Sequence, residues 1–214
     1  NGMEKNWVVG AVVALGLFVI YLASDLKEAY KILPGNTSGQ LVVPPFADWH
    51  LYTPDPGFFE VSLPAPPQSA HSQVSIPKSD KMRHYQMYVS EKLDGTAMMV
   101  SLITYPPDYN LKNTQQLFRE IVDELLVGNR ENRLEDFTLE EVKGYPGARF
   151  QIQNSQLQIK GREFLVGNTL YLLNYIATKQ AFREEEFTHF VDSFVLTKTL
   201  REVAPTLPSA SSKS

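Results

Sequence analysis

Residues 144–178 read GYPGARFQIQNSQLQIKGREFLVGNTLYLLNYIAT, and the fold class turns on them. Ala148, Phe150 and Ile152 alternate with Arg149, Gln151 and Gln153, the period-two pattern of a half-buried strand. The run QLQIKGREFLVG that follows alternates less cleanly, and Gly161 within it predicts a bulge or bend. TLYLLNYIAT is almost wholly apolar, as expected of a central strand covered on both faces. Gly167-Asn168 supplies the turn between the last two runs, and Gly144-Tyr145-Pro146-Gly147 turns the chain into the first. Three adjacent strands with short connections predict an antiparallel sheet.

Working toward the N-terminus, the period changes to helical before residue 128. Leu117, Phe118, Ile121, Val122 and Leu125 form one stripe, with Arg119, Glu120, Asp123 and Glu124 facing away and Gly128-Asn129 as the stop. Phe137, Leu139 and Val142 lie between this helix and the strands in a short acidic segment that the pattern assigns to no element. Further upstream, Tyr85, Met87 and Val89 alternate along one strand and Met98, Val100 and Leu102 along its return, joined by a hairpin turn at Leu93-Asp94-Gly95-Thr96. Residues 65–80 read as an exposed Pro/Ser loop, and Phe59, Val61 and Leu63 as a strand ahead of it. Downstream, a closing helix is expected from a cap at Thr178 through Phe187, Phe190, Val191 and Phe194. The order is α+β: a largely antiparallel sheet covered by helices.

With these elements placed, the chain resembles the family that includes the photosystem subunit PsbP, the Ran-binding Mog proteins and bacterial DcrB-like domains. The resemblance is carried by FFEVSLPAPP at 58–67, LITYPP at 102–107, GYPGARFQI at 144–152, REFLVGNTLYLLNYIA at 162–177 and FTHFVDSFVL at 187–196. It implies an α/β/α sandwich that docks on larger assemblies, and it brings no catalytic residues with it.

At the other end of the chain, WVVGAVVALGLFVIYLA at 7–23 is uncharged, bracketed by Glu4 and Lys5 and by Asp25, Lys27 and Glu28. With its two flanking residues it would span roughly 28 Å as a helix, close to the thickness of a hydrocarbon core. Trp7 and Tyr21 stand where rings favour the headgroup level, with Leu15 and Phe18 between them as lipid-facing residues. A cleaved signal peptide is the competing reading, but the best exit, after Ser24, puts Leu22 where a small residue is wanted. A retained signal-anchor is therefore expected, which places the following domain in the periplasm or an equivalent space beyond the cytoplasmic membrane.

The resulting division is a flank at 1–5, a transmembrane helix at 6–24, a juxtamembrane helix and Pro-rich tether at 25–57, the domain at 58–198 and a disordered tail at 199–214. Val43, Phe46 and Trp49 in the tether are costly to leave in water, so they are expected to pack on the domain or on a partner. Tyr105, Tyr109 and Tyr145 fall at proposed loop ends and complete the set of candidate partner contacts.

Composition narrows the chemistry. Twenty Lys and Arg against twenty-four Asp and Glu give a net charge of -4, which offers no basic field for nucleic acid. The absence of cysteine removes thiolate metal sites, thiol nucleophiles and a lipoprotein anchor. His50, His71, His84 and His189 are scattered; Glu185 and His189 stand one helical turn apart but have no third ligand nearby. No nucleophile elbow or phosphate-binding loop is present, and the acidic pairs Glu135-Asp136 and Glu140-Glu141 and the run Glu184–Glu186 read as solvated faces. With neither cofactor nor metal expected, the sequence points to a non-enzymatic, membrane-anchored accessory subunit that binds or helps assemble a membrane protein complex, photosynthetic or respiratory. An envelope domain that binds or senses a small molecule is the alternative.

Overall fold

The computed structural model describes residues 46–55 and 57–197. The apolar run with Trp7, Leu15, Phe18 and Tyr21, the tether residue Val43 and the C-terminal tail lie outside them. No helix among the described residues is long and apolar enough to cross a membrane.

Among the described residues, ten strands and two helices follow in the order β1 (His50–Tyr52), β2 (Phe59–Leu63), β3 (Gln68–Ser75), β4 (Met82–Glu91), β5 (Ala97–Thr104), α1 (Thr114–Val127), β6 (Arg133–Val142), β7 (Tyr145–Gln153), β8 (Leu157–Val166), β9 (Thr169–Thr178), α2 (Glu184–Ser193) and β10 (Val195–Leu196). Seven of the strands form one antiparallel sheet in the order β3-β4-β5-β9-β8-β7-β6, and β1 and β10 flank β2 in a small second sheet. The α+β class expected from the sequence is the class observed. β9 is the middle strand, buried from Thr169 to Ala177, because apolar layers cover both of its faces.

One layer is α1, whose stripe of Leu117, Phe118, Ile121 and Val122 packs against Ala148, Phe150, Ile152, Leu170 and Leu172. Its first turn is capped by Asn113, whose Oδ1 accepts from the Gln116 N–H at 3.1 Å. The other layer is α2 with the small sheet, where Phe59, Phe187, Phe190 and Phe194 meet Phe164, Tyr171, Leu173 and Tyr175. Phe59 stacks on Phe194 at 5.2 Å, and Phe164 on Tyr171 at 5.3 Å.

Five local expectations are corrected. The segment read as a loop at 65–80 contains β3, an edge strand paired residue by residue with β4 from Gln68↔Val89 to Ser75↔Met82. Its polar residues face solvent on both sides, so no period-two signal exists to read. The acidic segment is β6, a ten-residue edge strand whose register shifts between Leu134 and Asp136. Thr178 ends β9 rather than opening a helix: its carbonyl accepts from Ala181 and Phe182, and α2 begins six residues later with Arg183 as its cap. The turn in GYPG is made by Lys143 and Gly144, both at positive φ, while Tyr145 through Gly147 already belong to β7. At Gly161 the register of β8 is unbroken on both sides; the missing side chain leaves room for the Phe150 ring instead.

The end of the tether folds back. Residues 50–52 pair with β2, and the Phe46 ring stacks on His189 of α2 at 4.1 Å, with Trp49 edge-on to the same imidazole at 5.2 Å.

Candidate functional site

An uncharged stretch of surface lies along the β3 edge. β3 reads QSAHSQVS, eight residues without a formal charge. Its register sets His71 opposite Gln86 and Gln73 opposite His84, so the two histidines become diagonal neighbours on one face. The row continues inward through Thr104, opposite His84, to Thr169, whose hydroxyl lies 3.2 Å from that of Thr104.

Two loops wall this surface. Residues 105–111 contribute Pro107, Tyr109 and Leu111, and the β8–β9 turn contributes Gly167 and Asn168. Asn168 ties the loops together, donating from Nδ2 to the Tyr105 carbonyl at 2.6 Å and accepting from the Tyr105 N–H at 2.9 Å. The open cleft between them has a volume of about 970 Å³, and none of its twelve lining residues is Asp, Glu, Lys or Arg. In a chain with 21% charged residues, that is a surface cheap to desolvate against a neutral partner.

A buried polar network holds Tyr85 of the cleft lining in place. Arg83 is 3% exposed; its guanidinium pairs with Glu124 of α1 and donates from Nη1 to the Tyr105 hydroxyl at 3.1 Å. The Tyr85 hydroxyl donates to the second Glu124 oxygen at 3.3 Å. Burial pushes the Tyr105 phenol up to about 12, and burial together with the Glu124 carboxylate raises Tyr85 well above the ordinary tyrosine range. Both phenols therefore stay neutral at physiological pH, Tyr85 as a donor to Glu124 and Tyr105 as an acceptor from Arg83. Replacing Glu124 by Gln keeps the shape but leaves a buried guanidinium facing an amide. The expected cost is about 1–2 kcal/mol in chemical denaturation, below that of a fully interior pair because Glu124 keeps contact with water.

The structure separates the residues nominated by the sequence. Tyr109 is half-buried in the cleft wall and stacks on Tyr105 at 5.3 Å. Tyr105 is a correction: it is 2% exposed, because it packs in the cluster beneath α1 with its hydroxyl held by Arg83, and it serves as the base for Tyr109. Tyr145 is half-buried on the opposite side of the sheet, against Phe164. Phe46 and Trp49 sit together on α2, away from the cleft residues. His189 is engaged by the Phe46 ring and by the Ser62 hydroxyl at 3.2 Å, and no group of three or more potential metal ligands occurs among the described residues.

A second polar cluster, which no motif in the chain announces, lies under α1. The register places Ser101, Leu172 and Glu163 in one cross-strand row and Met99, Asn174 and Gly161 in the next, so Ser101, Asn174 and Glu163 are diagonal neighbours on the helix-covered face. All three are at most 1% exposed, and the Ser101 hydroxyl, both Glu163 carboxylate oxygens and both Asn174 amide atoms lack hydrogen-bond partners among the described residues. Burial pushes the Glu163 carboxyl well above the usual carboxylate range.

Comparison with known proteins adds one finding. No family model and no curated relative matches the chain. Among solved structures, the solution structure of cyanobacterial PsbP (CyanoP) from Synechocystis sp. PCC 6803 aligns with 77% of this chain and 99% of its own, at 10% identity and a TM-score of 0.48.

Proposed function

We propose that the chain is a non-catalytic accessory subunit whose folded domain docks on a partner protein of a membrane complex through the cleft beside β3 and β4. The observation that carries this reading is the absence of any formal charge among the residues lining a cleft of about 970 Å³, with Tyr109 held in its wall by a stack on buried Tyr105. Aromatic anchors surrounded by neutral hydrogen-bonding groups are what protein interfaces place at their centres. The docking role implied by the sequence resemblance is of the same kind. The apolar run at 7–23 acts in this proposal as a retained anchor that holds the domain at the outer face of the cytoplasmic membrane.

The test is purification of the full chain from native membranes in mild detergent, with a photo-crosslinker introduced at Tyr109. Stoichiometric partners joined at that position are the expected result. A chain that migrates alone as a stable monomer, uncrosslinked, overturns the proposal.

A further inference from the structure

The two edges of the seven-stranded sheet are built differently. β6 carries a register shift at Leu134/Asp136 and four carboxylates, Glu135, Asp136, Glu140 and Glu141. Arg149 bridges Asp136 and Glu140 across that strand. Bulges and edge charges are the devices by which sheets refuse a further strand. β3 has neither: it is eight residues long, uncharged, unbroken in register and largely exposed, and among the described residues no strand lies beyond it.

We infer that β3 is a strand-addition edge, at which an extended, uncharged segment of a partner protein pairs as an eighth strand of the sheet. The inference rests on the docking reading above and names how the partner is held. Main-chain groups of β3 supply the affinity, and the two faces of the edge supply the selection. One face offers His71 and Gln73 with His84 behind them; the other offers half-buried Ala70 and Val74 on either side of exposed Ser72, with Met87, Tyr85 and the buried Arg83 behind. A strand laid against β3 therefore meets hydrogen-bonding side chains at every second position, and Ala70, Ser72 and Val74, small and uncharged, at positions between. A charged segment is disfavoured, because neither β3 nor the adjoining cleft offers it a counter-ion.

The experiment pans a displayed library of linear eight-residue peptides on the full chain held in nanodiscs, and then measures hydrogen exchange with the best synthetic peptide. The expected winners alternate apolar and neutral polar residues, slow exchange across residues 68–75 at least tenfold and leave residues 133–142 unchanged. The double variant S69K/Q73K, whose added charges project from exposed positions, is expected to lose at least tenfold in peptide affinity with an unaltered melting temperature.

Peptides that bind without protecting 68–75 overturn the inference, as does a library that yields no binder. Protection of 68–75 without peptide also overturns it: if this fades on dilution the occupant is a second copy, and if it persists the occupant is a segment of the same chain. Native partners that still co-purify with S69K/Q73K leave the docking role standing and remove strand addition. Loss of all partners from the parent chain removes both.

Discussion

At pH 7 the substitution Glu163→Gln raises the melting temperature, and the gap to the parent protein closes as the pH falls toward 4.5. Glu163 is 0% exposed beneath α1, with no hydrogen-bond partner for either carboxylate oxygen among the described residues. Burial raises its folded-state pKa above the unfolded value of 4.5. Above pH 4.5 the unfolded chain releases this proton while the folded chain keeps it, so folding stability falls as the pH rises, by about 1.4 kcal/mol per pH unit until the folded carboxyl itself ionises. Below pH 4.5 both states are protonated and the contribution is flat. For a domain of this size each unit corresponds to roughly 4 °C in melting temperature. The amide keeps the shape of the acid without its titration, so the variant should lack that slope. Parallel pH profiles for variant and parent, measured by thermal denaturation from pH 4 to pH 8, would show that Glu163 does not titrate in this way.

Gly147→Ala is expected to destabilise the domain by about 3–4 kcal/mol, at the upper end of overpacking effects. A Cβ at this position would lie 2.3 Å from the Glu163 carbonyl oxygen, 2.9 Å from a Val142 methyl and 3.1 Å from the Phe164 Cβ. The first of these is backbone in the neighbouring strand and cannot rotate away, so β7 and β8 must separate. Gly144→Ala, three residues earlier, is the matched comparison. That site sits at φ +82° in open space, so the change costs only backbone strain, about 1 kcal/mol. Equal losses in denaturant midpoint for the two variants would refute the packing argument.

These two glycines show where the sequence could be read and where it could not. The turn in GYPG was legible from its composition, but which glycine turns the chain and which lies pressed between strands depends on the β7–β8 pairing. β9 was legible because burial on both faces leaves an uninterrupted apolar run, and the β4–β5 hairpin because Asp94-Gly95 marks its turn, with Gly95 at φ 82°. β3 left no signal, since an edge strand wetted on both faces needs no apolar alternation. The candidate site shared that fate: His71 and His84 lie thirteen positions apart and become neighbours only through the ladder between β3 and β4. Glu163 stood at an ordinary polar position in REFLVG until α1 was seen to lie over that side of the sheet. Tyr109, nominated as a partner contact at a loop end, lies in the wall of the cleft, whereas Tyr105, four positions earlier, is its buried support.

The small sheet bears on how the protein must be made. β2, near the start of the domain, is flanked by β1 before it in the chain and by β10 at the far end, with Phe59 opposite Leu196 and the Thr197 N–H donating to the Phe58 carbonyl at 3.0 Å. Phe59 can therefore reach its stack on Phe194 only after nearly the whole domain has been synthesised. A ribosome, or a channel delivering the chain from its N-terminus, presents β2 long before its closing strand exists, and such long-range closure folds slowly and leaves apolar surface bare in the interval. Chains arrested before residue 194 should stay protease-sensitive around β2, and the α2 side of the domain acquires its finished form only when β10 arrives.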